Sequence, residues 1–359
     1  NQGNGQSSKQ TGQTGAGIGV GAAISVNVVI ETNKAFITGG VTIIGLTGAV
    51  EVEATNHTDG EVKAIGTSLV DKSSANIGVA VSINVITVHN DATITQGSTV
   101  NGQGVTLTAI TADGETNDFR AWALAAAGGT QSDVSVGGSV GVQVITMRNI
   151  ASTGTGVTIN AGTGGINGAA SNPIKLQNLA LSVALGDTAV GAAVAVNVLN
   201  LDTKVSIGST TGAGASTINA EGAIDFNAET SIVPMDIFDD DIPILGNIAI
   251  SSVGFGGALS NGDVAIGGSV VITIINSETQ AYIAQGATIN ENAAANAGQH
   301  IKLNASDTTE LINAAGGLGG STGSVGIGAG VVVDVINKDT RAYLADGVTA
   351  RAGGDVVIT

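Results

Sequence analysis

The chain is built from long apolar stretches in which bulky and small residues alternate. From Ile18 to Ile30, nearly every second residue is Ile or Val, and the residues between them are mostly Gly, Ala, Ser or Asn. Residues 264–274 repeat the pattern. Successive side chains of a strand point to opposite faces, so a period of two predicts strands with one bulky and one small face. We expect the bulky face to fill the core, because each buried Val or Ile contributes about 1.5–3 kcal/mol. The small face either packs closely against another backbone or is a surface that tolerates small residues.

The apolar stretch recurs along the whole chain. Its central position is the anchor of each copy, and successive anchors are 57, 59, 54, 76 and 61 residues apart. The anchors are Asn27, Asn84, Gln143, Asn197, Thr273 and Asp334. After each anchor come a Gly turn, a short "TI"-like pair and a second alternating run. This self-similarity predicts about six tandem repeats of about 58 residues.

Repeated strands separated by Gly and Asn turns, without helical periodicity, predict an all-β fold. Because one repeat cannot bury its own apolar face, the repeats must stack, and we predict a single right-handed parallel β-solenoid (β-helix) over residues 1–359. Each repeat forms either one wide turn or three small turns of about 19 residues. The wide turn is slightly favoured, because it stacks the anchors as a ladder in which the Asn and Gln amides bond one another.

Composition and charge exclude several classes of function. The chain has 43% hydrophobic residues but only 2% aromatic ones, and its net charge of −17 argues against a nucleic acid as partner. It has no Cys, so no disulfide or thiolate metal site is expected. No targeting segment and no apolar stretch long enough for a membrane-spanning helix is visible. The chain begins and stops within repeats, so we expect either a slice of a longer array or a subunit that stacks end to end.

Several stretches resemble the tandem repeats of very large bacterial surface exoproteins. They are "GVGAAISVN", "AVGAAVAVNVLN", "GATINENAAANAGQHIKLNAS" and "TRAYLADGVTARAGGDVVIT". The similar proteins are giant repetitive adhesins and filamentous-haemagglutinin-like secreted proteins, and the resemblance covers essentially the whole chain. It implies secretion, a cell-surface or matrix location, and a role in adhesion, biofilm contact or assembly. It carries no catalytic residues.

The 76-residue spacing marks an acidic insertion at residues 231–246, "SIVPMDIFDDDIPILG". Pro234 and Pro243 bracket four aspartates, and because Pro interrupts strand pairing we predict a loop leaving the solenoid. The aspartates are Asp236, Asp239, Asp240 and Asp241. They form either a solvated acidic loop or a weak Ca²⁺ site, since carboxylate oxygens suit this ion. No other cofactor is expected.

Catalytic motifs are absent from the sequence, and we expect no enzyme. His57, His89 and His300 lie in different repeats without a shared motif. A cluster of charged residues in the first repeat is typical of a solvated strand face, although β-helices also include polysaccharide-cleaving enzymes. The cluster is Glu51, Glu53, Asp59, Glu61 and Lys63.

Two structural functions therefore compete, with a polysaccharide-binding or -cleaving protein as a further alternative. An adhesin stalk should stay monomeric and carry specificity in insertions. A self-assembling extracellular filament should use its small Gly/Ala/Ser face or its open ends for subunit contacts.

Overall fold

The structure is a computed structural model. It describes residues 2–6, 17–45, 47–129, 131–208, 215–236, 249–292 and 296–359, and for residues 2–6 the backbone alone. The described residues form 22 strands. No helix that could span a membrane occurs among them.

The strands are numbered in chain order. They are β1 (Gln2–Gln6), β2 (Ile18–Ile37), β3 (Thr42–Ile44), β4 (Val50–Asn56), β5 (Gly60–Leu69), β6 (Ala75–Ile94), β7 (Thr99–Gly102), β8 (Val105–Thr111), β9 (Asn117–Gly128), β10 (Val134–Thr153), β11 (Thr158–Ala161), β12 (Ile166–Ile207), β13 (Thr217–Ala220), β14 (Ile224–Asp236), β15 (Ala249–Ile250), β16 (Ser252–Ile283), β17 (Thr288–Ile289), β18 (Ile301–Thr309), β19 (Asn313–Ser321), β20 (Val325–Leu344), β21 (Thr349–Ala350) and β22 (Val356–Ile358).

Each coil of the fold consists of four runs. The long run is a strand of about 20 residues such as β6. A turn with Gly97 at φ +71° leads to the short run β7, which is followed by the third run β8 and the return run β9. The chain then bends back into the long run of the next coil, β10. In β12 the third, return and long runs follow one another within one continuous strand.

Neighbouring coils are paired in parallel, one full repeat apart. The long runs pair in the order β2, β6, β10, β12, β16, β20. The short runs form a separate parallel six-stranded sheet. Each repeat therefore makes one wide turn and not three small ones. The predicted all-β parallel solenoid is confirmed, while its handedness and the number of repeats stay predictions.

The two faces of the long run are reversed relative to the sequence-based prediction. In the first half of β6, the small residues Asn76, Gly78 and Ala80 are fully buried. The bulky residues between them, such as Ile77 and Val79, lie on the outer surface and are half-buried. The expectation that the bulky face fills the core is therefore wrong for this half of the run.

The cause is the close approach of the return run. The return run lies opposite the first half of the long run, and a Cβ atom built on Gly78 would lie only 2.1 Å from the carbonyl oxygen of Ala126. A Cβ on Gly66 of the return run would lie 1.7 Å from the carbonyl oxygen of Val79. Most inward positions between walls this close are Gly, Ala or Ser, with few larger residues such as Asn76 and Val271, and most Ile and Val side chains of this half point outwards. We call this part of the coil the glycine end.

Larger apolar side chains fill the rest of the coil. In the middle, Ile86 and Val88 of the long run pack with Phe119 of the return run. Beyond them, the last residues of the long run pack against the short and third runs; Ile94, Val100 and Leu107 belong to this second cluster. The inward face therefore changes from small to bulky residues along one strand, as the opposite wall recedes.

The first six residues of the predicted acidic loop belong to a strand. Ser231–Asp236 continue β14, where Pro234 pairs with Leu176 and Met235 is buried. On the other side of β14, pairing with β18 ends at Ile232. Pro234 therefore has a neighbour on one side only, and its missing N–H removes no ladder hydrogen bond. Residues 237–248 lie outside the described residues.

Candidate functional site

The outward half of the long runs forms a broad aliphatic surface. We define the aliphatic face as the outward positions of residues 18–28, 75–85, 134–144, 188–198, 264–274 and 325–335, which the sheet aligns in columns. We call each level of the stack, formed by one coil, a rung. Six positions in each of six rungs give 36 positions, and Thr188 is the only polar residue among them. Ile18 and Ile24 in β2 are each 68% exposed. Such a surface exceeds the scattered apolar exposure of ordinary soluble proteins.

The aliphatic face is not flat, because one of its columns carries smaller side chains than its neighbours. One column, which we call the valley, carries small residues in five of its six rungs. It consists of Ala22, Val79, Gly138, Ala192, Gly268 and Ala329. Ile and Val columns flank the valley on both sides. A Cβ atom on Gly138 would meet no atom within 4 Å, so the space above the valley is open.

A polar groove borders the aliphatic face in the second half of the long runs. It has a volume of about 550 Å³ and crosses five rungs, from His89 to Asp339. One side carries amides, of which Asn276 donates a hydrogen bond to Asn200 (3.0 Å). The other side carries ionisable residues five positions after the anchors of these five rungs, including Arg148.

Ion pairs hold the charged side chains of the groove. Lys204 Nζ lies 2.9 Å from Asp202 Oδ1 and 2.8 Å from Glu278 Oε2, so one ammonium bridges two rungs. Burial alone would lower the pKa of Lys204, but the hydrogen bonds to Glu278 and Asp202, with their negative charges, outweigh it and raise the pKa above its usual value. Arg148 pairs in the same way with Asp91 (3.1 Å) on the neighbouring rung.

The six anchor residues are neighbours in the sheet, and five of them are buried. Asn27 pairs with Asn84 in the register and donates a hydrogen bond to its side-chain oxygen (2.9 Å). Asn84 donates to the carbonyl of Gly60 in the return run (3.0 Å), and Gln143 does the same towards Gln177 (2.7 Å). The remaining positions continue the column through Asn197, Thr273 and the exposed Asp334.

The anchors therefore connect the two walls of the coil and do not form a surface site. They lie where the glycine end meets the aliphatic core, and the amides of Asn84 and Gln143 donate hydrogen bonds to backbone carbonyls of the return run.

The structure brings no cation site together among the described residues. No group of three or more His, Asp or Glu side chains in that part of the chain is arranged to hold a metal ion. Asp236 is exposed at the end of β14. Asp239, Asp240 and Asp241 lie outside the described residues, so the Ca²⁺ site stays a prediction.

The remaining charged candidates belong to the first coil. Glu51 and Glu53 point outwards from β4. Asp59 accepts a hydrogen bond from the backbone of Asp118 (2.9 Å), and Lys63 Nζ lies 4.7 Å from the centre of the Trp122 ring. These side chains, with Glu61, belong to the outer surface of the third and return runs.

The three histidines lie in different coils. His57 is 3.5 Å from Asp59, His300 is 3.8 Å from Asp355, and His89 lines the polar groove.

Sequence reasoning missed both the aliphatic face and the polar groove. The groove could have been found from the anchor alignment, because its charged column lies five residues after each anchor. From the second rung onwards the column is His89, Arg148, Asp202, Glu278 and Asp339, while the first rung has Thr32 at this position.

Comparisons of the chain with protein-family models, with curated proteins and with solved structures find no match. The resemblance to giant surface exoproteins therefore stays a prediction.

Proposed function

We propose that this chain is a structural repeat protein of the bacterial cell surface. It acts outside the cell as an adhesin stalk or a fibre-forming segment, and mediates attachment or contact between cells and their matrix. The observation that carries the proposal is the continuous register of the long runs from β2 to β20. Every repeat adds one rung, so repetition yields length and surface.

The proposal includes no catalytic role. Charged side chains that line the groove are held in ion pairs with neighbouring residues: Asp202 and Glu278 with Lys204, and Arg148 with Asp91. A general acid or base needs a pKa tuned towards the working pH, whereas the pKa of Lys204 is displaced upwards, away from it. These contacts suit a role in joining rungs.

The proposed location and role are tested on intact cells of the producing bacterium. Antibodies raised against the purified chain should label unpermeabilised cells, and deletion of the gene should reduce attachment to surfaces or to other cells. Labelling that requires permeabilisation would contradict a surface location. Normal attachment of the deletion strain would contradict the adhesive role.

The polar groove favours polysaccharide binding as a second candidate function. Its amide column, which contains Asn200 and Asn276, crosses successive rungs and presents hydrogen-bonding groups at the rung spacing of about 4.8 Å. Affinity electrophoresis through gels containing extracellular polysaccharides tests it. Retardation that is lost in the double variant Asn200→Ala/Asn276→Ala would support it, and unaltered mobility in every gel would rule it out.

A further inference from the structure

No described part of the chain covers the aliphatic face, although the face is almost purely apolar. Even in interior rungs, where neighbours shield each side chain on both sides, Val136 is 36% and Ile266 is 40% exposed. We propose that a second copy of this chain covers the aliphatic face, in a face-to-face pair related by two-fold symmetry. This inference rests on the structural role proposed above and gives that role a partner and a contact surface.

The size of the face fits a stable pair. Each long run contributes ten residue steps, or about 33 Å at about 3.3 Å per step, and six rungs span about 24 Å at about 4.8 Å per rung. The face therefore covers about 800 Å², which is the contribution that each partner makes to a standard specific interface. It is also larger than the apolar patches of about 300–600 Å² found on typical monomers.

The relief of the face allows two copies to interdigitate. The valley runs along the solenoid axis between Ile and Val columns that rise on both sides of it. Because both copies share the same rung spacing, a Val column such as Val140 and Val194 can lie along the partner's valley in the five rungs that carry small residues. A two-fold contact uses the same patch on both copies, so it is closed and self-complementary.

Charge favours a protein copy over a lipid surface as the partner. Anionic membranes attract clusters of Lys and Arg, whereas this chain has a net charge of −17. The border of the aliphatic face has both signs, since Lys204 and Arg148 alternate there with carboxylates. The net charge also opposes the approach of two copies, so association should strengthen as salt screens it.

The opposite outer wall supplies a matched control. Val183 in the return run is 39% exposed and also points outwards, but it lies outside the aliphatic face. The variants Val136→Lys and Val183→Lys therefore introduce the same charge at sites of similar exposure. Circular dichroism should show that both keep the strand content of the original chain.

Sedimentation equilibrium tests the pair, at about 0.05 M and about 0.5 M sodium chloride. We expect a dimer that tightens with salt, a dissociation constant at least about tenfold weaker for Val136→Lys, and no change for Val183→Lys. A chain that stays monomeric at high salt would overturn the proposal. So would equal weakening by both variants, or binding to phosphatidylcholine–phosphatidylglycerol vesicles in place of dimerisation. Surface labelling of cells is independent of these outcomes, so failure of the pair leaves the proposed function standing.

Discussion

Two adjacent glycines in β16 give the sharpest test of which face points inwards. Gly267 faces the return run, and a Cβ atom there would lie 2.2 Å from the carbonyl oxygen of Leu318 and 2.3 Å from that of Gly256. Gly268 belongs to the valley on the outer surface, and its Cβ would have one neighbour, the carbonyl oxygen of Ala329 at 3.8 Å. We therefore expect Gly267→Ala and Gly268→Ala to have opposite effects on stability.

The magnitudes follow from these distances. A methyl group needs about 3.4 Å from a carbonyl oxygen, so Gly267→Ala forces the two walls apart by about 1 Å and should lower the free energy of unfolding by about 3 kcal/mol, the upper range for overpacking. Gly268→Ala fits without strain and restricts the unfolded chain, so it should raise the free energy of unfolding by about 0.5 kcal/mol.

Urea unfolding followed by circular dichroism measures both variants. Because a solenoid need not unfold in one step, hydrogen exchange of the amides in β16 and β19 should locate the loss beside Gly267. Equal stability of the two alanine variants would show that no wall lies against Gly267. A stabilising effect of Gly267→Ala would show that the small residues face solvent. The bulky face would then point into the core, contrary to the structure.

Four further predictions concern other parts of the coil. Lys204→Met should cost about 1 kcal/mol in urea unfolding at neutral pH, because its two carboxylate partners then lose their shared cation and repel each other. Asn84→Ala should cost about 2 kcal/mol by leaving buried groups without partners, whereas Asn160→Ala, in the partly exposed ladder of the short runs, should cost less than about 0.5 kcal/mol in the same assay. Phe119→Ala should lower the free energy of unfolding by about 3–5 kcal/mol, because it leaves a cavity in the apolar cluster that contains Ile86 and Val88. If the acidic insertion binds Ca²⁺, calorimetry should detect a dissociation constant of about 10⁻⁴–10⁻³ M that is lost when residues 239–241 are changed to Asn; absence of heat would remove the site.

The register of the fold could be predicted from the sequence because it is a property of the repeat itself. A one-residue slip between two rungs would exchange the faces of every side chain, so the alternation excludes odd shifts, and the anchor and Gly turn at fixed places in each copy exclude even ones. The column that starts at Asn27 and Asn84 follows from both features. The turn residue Gly97 has equivalents with positive φ in other coils, including Gly40 and Gly286.

The sequence of the long run alone does not reveal which of its two faces points into the core. A period of two shows that two faces differ, but the side that is inside depends on how close the opposite wall lies. That wall is a different part of the repeat, the return run. Its own small residues, such as Ala123 and Ala125 opposite the first half of the long run, are the sequence feature that indicates a close opposite wall. Two small faces in one repeat indicate that they pack against each other.

The predicted start of the acidic loop at residue 231 is wrong for a related reason. Pro234 looks like a strand terminator when it is considered alone. In the fold it lies beyond the last residue pair of β14 and β18, so the strand passes through it and continues to Asp236. Whether a Pro ends a strand depends on whether its side of the strand is paired. Here that depends on where β18 of the neighbouring rung ends, which the local sequence around Pro234 does not show.

The wide turn has a consequence for tension along the solenoid axis. The hydrogen bonds between rungs lie along that axis, so a pull on the two ends of the chain loads the outermost rung first and peels it from its neighbour. Asn27 and Asn84 are 57 residues apart but occupy adjacent rungs, about 4.8 Å from each other. A peeled coil of this size unwinds into a tether of about 190 Å at about 3.4 Å per residue. Each rupture therefore releases roughly 40 times the rest length of its rung, and the array would lengthen stepwise under load while the coils that remain stay folded.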